Sequence, residues 1–343
     1  MNAAPGRRLR GVLVAAFVLL FLLLPAAAAR MPASRAGQRP DLYLVAFDRG
    51  SRQQFPRLAR AARRRGVRVR ILRTLRLPSG GFDPARRQWI AQALIRKIRR
   101  SYPRLHATRS VVIGLTGRDM YIPGVPWRYA FGTGGAGNVA VIATRRMDPR
   151  FWGLAYDDEL FRSRVDKMFA RYLGRLVLRL PASSDPYSAL RSTLPSLDAL
   201  DVMTDEFRPA PPSASERRWI SGSDGSCARA RTATRALGAG KRINTVPQLV
   251  RVAAGFLRIQ RQLLARLGAQ RGRPLDRALA TRFFARFAAF NRREGTGLAD
   301  LRAHPDAARA RAWISLSGRA SATLRVFTLR LRLLGCSAYF AGA

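Results

Sequence analysis

The sequence predicts an α/β fold followed by a smaller, mostly α-helical domain, and three observations carry that prediction. Between Asp41 and Phe207, short runs rich in Val, Ile and Leu alternate with amphipathic stretches, as buried strands alternate with the helices that cover them. Beyond the Pro- and Ser-rich stretch RPAPPSAS, Arg208 to Ser215, the strand signals fade and apolar residues recur at three- and four-residue steps. The chain has 343 residues, of which 48% are hydrophobic, which is enough for two packed cores and excludes a wholly disordered chain. The expected organisation is an α/β domain over 41–207, a linker over 208–215 and an Arg-rich helical domain over 216–343.

In chain order, the first element is a targeting signal. Arg7, Arg8 and Arg10 precede the apolar run from Gly11 to Leu24, and Pro25 and Ala26 to Ala29 follow it with A-x-A triplets suited to cleavage. The run has fourteen residues, short of the roughly twenty needed to span a bilayer. Residues 1–29 therefore read as a secretory signal peptide, and the protein is expected to be exported, either secreted or held at the outer face of the membrane. An uncleaved N-terminal anchor is the alternative.

Four runs follow with the composition of buried strands: DLYLVAF at 41–47, VRVRILRTL at 67–75, SVVIGLT at 110–116 and NVAVIAT at 138–144. Phe55 to Arg65 and Pro84 to Arg100 read as helices, the second with Trp89, Ile90, Ala93, Leu94 and Ile98 on one face. Asp157, Asp158 and Glu159 suit a helix N-terminus, where the backbone dipole favours negative charge. In the C-terminal half, Thr245-x-x-Gln248 is a capping box leading into a helix along Leu249, Ala253, Phe256, Gln260, Leu263 and Leu267. Leu275 to Arg293 forms the next, with Phe283, Phe287 and Phe290 in register, and 323–334 is assigned to helix despite its Leu/Arg alternation. Phe283, Phe284, Phe287 and Phe290 read as core, with Arg282, Arg286, Arg292 and Arg293 as the solvated back of the same helix.

The charge bounds the partners. Lys plus Arg number 63 against 20 Asp plus Glu, giving a formal net charge of +43, and only Lys97, Lys167 and Lys241 are lysines. Coding preference accounts for Arg in place of Lys but less well for the shortage of carboxylates. The sequence names no partner; an anionic lipid, wall polymer or peptide is the class that this charge admits for an exported protein, through salt-dependent contacts. Specific nucleic-acid binding is not expected. The two cysteines, Cys227 and Cys336, are expected to form one disulfide in an oxidising compartment.

Several chemistries are excluded or weakened by what the sequence lacks. GTGGAG at 132–137 matches G-x-G-x-x-G literally, but the strand follows it instead of preceding it, so a hairpin turn next to Tyr129–Phe131 is the better reading. The two histidines, His106 and His304, lie in different halves and cannot supply a multi-histidine zinc site. No G-x-S-x-G elbow is present. The few acids of the α/β half, Asp119, Asp157, Asp158, Glu159, Asp185, Asp198 and Asp201, leave little material for a glycosidase-type carboxylate pair.

Read as one pattern, the centre of the α/β half resembles the archaemetzincin family of zinc metallopeptidases. RRQWIAQALIRKI at 86–98 is similar to that family's R-x-QY…L helix. VVIGLTGRDMYIPGVPWRYAFGTGGAGNVAVIATRRMDP at 111–149 is similar to its strand, D-[LM]-[FY] turn, edge hairpin and S-x-x-R-[LM] element. KMFARYLGRLVLRLP at 167–181 stands where the family has its zinc helix, and SALR at 188–191 where it has its Met-turn, with Leu190 in the Met position. The resemblance implies a metzincin-like mixed sheet with an active-site-type helix.

The same resemblance withdraws the activity. Aligned on Gly174, the first His, the Glu and the second His of H-E-x-x-H correspond to Arg171, Tyr172 and Arg175, and the third His to Pro181, or to Ala182 in a shifted register. Guanidinium groups are permanently charged and have no lone pair for Zn²⁺. No catalytic residue, metal or cofactor is therefore implied, and the family's second-zinc cysteines are absent from 182–207. The expectation is a metallopeptidase-like pseudoenzyme with a binding or structural role. Arg171 and Arg175, one turn apart, are the candidate anion-binding pair. The alternatives are an active secreted hydrolase with an unrecognised site, or a cationic protein of membranes and polyanions.

Overall fold

In the computed structural model the described residues are 41–106, 110–134, 137–239 and 242–342, so the signal-peptide segment lies outside them. The α/β part is built on a sheet of five strands in the order β2-β1-β5-β8-β7. These strands are β1 (Asp41–Ala46), β2 (Arg68–Ile71), β5 (Val111–Thr116), β7 (Gly132–Gly134) and β8 (Val139–Ala143). All pair in parallel except β7, which runs antiparallel to β8 at the sheet edge. A small second sheet joins β3 (Phe82–Asp83), β4 (Gln88–Ile90) and β6 (Met120–Tyr121).

Alternation along the strands builds two cores. Leu42 and Leu44 of β1, Ile113 and Leu115 of β5 and Ile142 of β8 face one side. There they meet α2 (Phe55–Arg64) through Phe55 and Leu58, and α5 (Asp158–Tyr172) through Val165, Met168 and Phe169. Val45, Val112, Val139 and Val141 face the other side, covered by Leu94, Ile95 and Ile98 of α3 (Ala91–Ser101). Short helices α1 (Arg49–Gln53), α4 (Pro103–His106) and α6 (Leu197–Val202) complete this part.

The expected helix over Pro84–Arg100 is only half right. Helix α3 begins at Ala91, and Gln88–Ile90 form a strand, antiparallel to Phe82–Asp83 and parallel to Met120–Tyr121. Arg87 takes a positive φ of 55°, breaking the helical phase. Buried Gln88 donates its amide to Asp119 at 2.9 Å and to the Arg128 carbonyl at 3.0 Å, and Trp89 stands against Phe82. These long-range partners override an apolar periodicity that continues unbroken into α3. The expected hairpin at GTGGAG is present as β7 antiparallel to β8, but Gly132–Gly134 form its first strand, an arm expected at Tyr129–Phe131.

Five helices make up the C-terminal part: α7 (Ala214–Gly238), α8 (Val246–Gly268), α9 (Arg277–Ala303), α10 (Ala307–Arg330) and α11 (Leu334–Ala341). Helix α8 starts at the expected capping box, with Thr245 and Gln248 each bonding the other's backbone. Helix α9 runs ten residues past the expected Arg293, and Phe283, Phe287 and Phe290 are core. The 323–334 segment is helical to Arg330, then breaks before α11. The expected disulfide Cys227–Cys336 ties α7 to α11 within the same core. No helix among the described residues is long and apolar enough to cross a membrane.

The two parts meet through α5 and α6. At the acidic N-terminus of α5, Asp157 caps the helix and lies 3.6 Å from Arg286, and Glu159 pairs with Arg282 and Arg330. Asp198 of α6 pairs with Arg325, and Arg332 stacks 4.0 Å over the Tyr187 ring. Three of the chain's 20 acids, Asp157, Glu159 and Asp198, lie at this junction.

Candidate functional site

The site is assembled on α5 and the turn of π-helix that prolongs it, Leu173–Val177. The buried face of α5 is fixed from below. Arg164, fully buried, makes a two-pronged ion pair with Asp201 at 2.8 and 2.7 Å and donates to the Met147 carbonyl. Lys167 donates to the Leu200 and Asp201 carbonyls, the last turn of α6, and burial lowers its pKa to about 8. These contacts orient the other face of α5 toward β7.

On that face Tyr172 and Gly174 set two close approaches. A Cβ at Gly132 would lie 2.7 Å from the Tyr172 ring, so glycine in β7 lets the phenol pack flat beneath the edge strand. A Cβ at Gly174 would lie 2.6 Å from Leu190 and 2.9 Å from Phe207, so glycine lets the helix rest on these two side chains. Burial pushes the Tyr172 phenol far above its ordinary pKa, so it stays neutral.

Arg171 is 8% exposed and reaches across to the loop after Leu190. Its two Nη atoms donate to the carbonyls of Arg191 and, at 2.9 Å, Ser192. Desolvation lowers the Arg171 pKa, with nearby Arg175 and Arg191 acting the same way and Tyr172 opposing. Arg175, one turn on, is exposed and has no hydrogen-bond or ion-pair partner among the described residues. The pair therefore divides its work: one guanidinium is engaged by backbone and the other points to solvent. Pro181 is exposed and does not line the same space.

Between α5, β7 and the 192–195 loop lies a cleft of about 960 Å³. Trp127, Tyr129, Phe131, Met168, Leu176 and Leu194 supply apolar walls, and Arg128, Arg171 and Arg175 supply the charge. Among the described residues, the lining contains no carboxylate, imidazole, thiol or lysine. A zinc ion does not fit such a donor set, because the lone pairs it offers at neutral pH are those of neutral hydroxyls, backbone carbonyls and the Met168 thioether, whereas zinc sites use thiolate, imidazole or carboxylate.

This chain is similar to solved archaemetzincins. The structure from Methanopyrus kandleri shares 25% identity over 51% of this chain and 92% of its own, with a TM-score of 0.40. That from Archaeoglobus fulgidus shares 22% over 49% of this chain and 95% of its own, with a TM-score of 0.39. A zinc-dependent peptidase from Methanocorpusculum labreanum shares 23% over 49% of this chain and 95% of its own, with a TM-score of 0.41. No protein-family model and no curated protein matches the sequence.

The remaining sequence candidates lie outside the cleft. Asp119 forms a two-pronged ion pair with Arg146, which stacks 4.1 Å over the Tyr129 ring. Asp158 pairs with Arg162, Asp185 caps the Tyr187 amide, and the other acids hold the α5 and α6 junctions already described. No two of these acids face each other across the cleft lining. His304 is exposed against Asp300, and the His106 side chain lies outside the described ones. What sequence reasoning missed is the wall opposite α5. Only Tyr129 and Phe131 stand out there, beside the hairpin, and neither Trp127 nor the 192–195 segment carries a local signal.

Proposed function

We propose that this is an exported, non-catalytic binding protein that holds an extended acidic polypeptide along β7, in a cleft of metallopeptidase type that has exchanged metal ligands for arginine. The observation that carries the reading is the lining: aromatic and apolar walls, three arginines and no acid, beside a sheet edge. An edge strand presents unpaired backbone groups that an added strand can satisfy, and alternate side chains of that strand then enter the cleft. Arg175 and Arg128, both exposed, face the acidic ones. The order of motifs along 86–203 supports the same assignment of the cleft, and the N-terminal signal supports export.

Fluorescence anisotropy tests it with a labelled ten-residue peptide of alternating Glu and Val. The Glu peptide is expected to bind, its Lys counterpart to fail, and alternate N-methylation to weaken binding at least tenfold. Arg175→Glu is expected to weaken it by a similar factor, and affinity should fall steeply with salt. Equal binding of the Lys peptide, or indifference to Arg175→Glu, contradicts the reading, as does cleavage of the peptide.

A further inference from the structure

A second cavity, of about 380 Å³, lies away from the cleft, where the loop Gly153–Ala155 meets α9 and α10. Its floor is buried Phe290 and Leu324, and Leu154 and Ala320 form its walls. Leu316, 44% exposed, stands at its rim. Three arginines, Arg286, Arg293 and Arg319, line it and no carboxylate does. Asp157, on an adjoining crevice, is already committed to the helix cap and to Arg286.

The three arginines are not equivalent. Arg286 lies 5.2 Å over the Phe327 ring and beside Asp157, so it belongs to the wall. Among the described residues, the Arg319 side chain donates only to the Ser315 hydroxyl on its own helix. Arg293 is exposed and has no hydrogen-bond or ion-pair partner among the described residues, only a through-space pull on the buried carboxyl of Glu294. An apolar pocket of ligand size with open guanidinium groups at its mouth complements a molecule that is apolar at one end and anionic at the other. The apolar end gains by leaving water, and the head gains forked hydrogen bonds without displacing a protein carboxylate.

We propose that this cavity binds one single-chain amphiphile with an anionic head, its alkyl chain over Phe290 and Leu324 and its head group between Arg293 and Arg319. This site is independent of the cleft. Because a chain of net charge +43 attracts any anion, the decisive variant must keep every charge. Ala320→Trp fills the cavity, and Ala289→Trp, at an exposed lining position, does so with less demand on packing.

Calorimetry on the full disulfide-bonded chain uses dodecyl phosphate, dodecanoate, dodecanol and methyl phosphate, each below its micellar concentration. Both dodecyl anions are expected to bind one per chain. Dodecanol and methyl phosphate should each bind at least tenfold more weakly. Ala289→Trp or Ala320→Trp, and separately Arg293→Gln with Arg319→Gln, should each lose at least tenfold in affinity for dodecyl phosphate. Undiminished binding in both cavity-filling variants overturns the proposal, as does dodecanol binding as tightly as the anions. Adsorption to phosphatidylglycerol vesicles with no uptake of the monomeric amphiphile overturns it as well.

Discussion

Arg171 is 8% exposed and its guanidinium joins α5 to the loop that walls the cleft, donating to the Arg191 and Ser192 carbonyls. Removing it strands two carbonyls that it now satisfies, and hydrogen bonds from a charged donor contribute roughly 1.5–3 kcal/mol each. Arg171→Met is therefore expected to lower unfolding stability in urea by about 3 kcal/mol, whereas Arg175→Met should change it by no more than about 0.5 kcal/mol. Equal effects of the two would mean that Arg171 is not a staple. Beneath it, Asp201→Asn leaves Arg164 buried without its counter-charge and is expected to cost about 3–5 kcal/mol in the same measurement.

Buried titrating groups add a pH signature at the same scale. Lys167 releases its proton near pH 8 in the fold but near 10.5 when unfolded, so the unfolded state holds more protons between those values and stability rises with pH there. Tyr339, raised to about 12 by burial, and Tyr172, raised further, act oppositely. Unfolded tyrosine ionises near pH 10, so above that pH the folded state holds more protons and stability falls. Chemical denaturation across pH 7–11 should show a maximum near pH 10, and Lys167→Met should flatten the rise while leaving the decline.

At the scale of elements, the four long strands, α2, α8 and the Phe stripe of α9 were legible because each buries one face at a period that matches its geometry. β4 was not, since Trp89 and Ile90 continue the period of α3 and only their pairing with Phe82–Asp83 and with the more distant Met120–Tyr121 makes them a strand. Helix α7 was hidden by Gly222, Gly225 and its serines, although Ser213 and Glu216 form a capping box that marks its start. The site was legible in its helix and illegible in its opposite wall. The contact of Arg171 with Arg191 and Ser192 depends on how the 182–196 loop returns, which no local pattern encodes. The close approach of Gly174 to Leu190 makes an element-level test: Gly174→Ala overpacks that contact and is expected to destabilise by about 1–3 kcal/mol in urea unfolding.

At the scale of the molecule, two parts of unlike architecture are joined by carboxylates of α5 and α6 against arginines of α9 and α10, in a chain whose overall charge repels itself. The Cys227–Cys336 bridge, with a sequence separation of 109, offsets part of that repulsion by restricting the unfolded chain. Replacing both cysteines by serine should cost about 2–5 kcal/mol in urea unfolding. The central proposal, that the cleft lined by Arg128, Arg171 and Arg175 holds no metal, is tested most directly by elemental analysis of the protein purified without chelator and exchanged into zinc-containing buffer, then desalted. The account predicts no stoichiometric zinc. One tightly held zinc per chain, lost on substituting residues of the cleft lining, would contradict it.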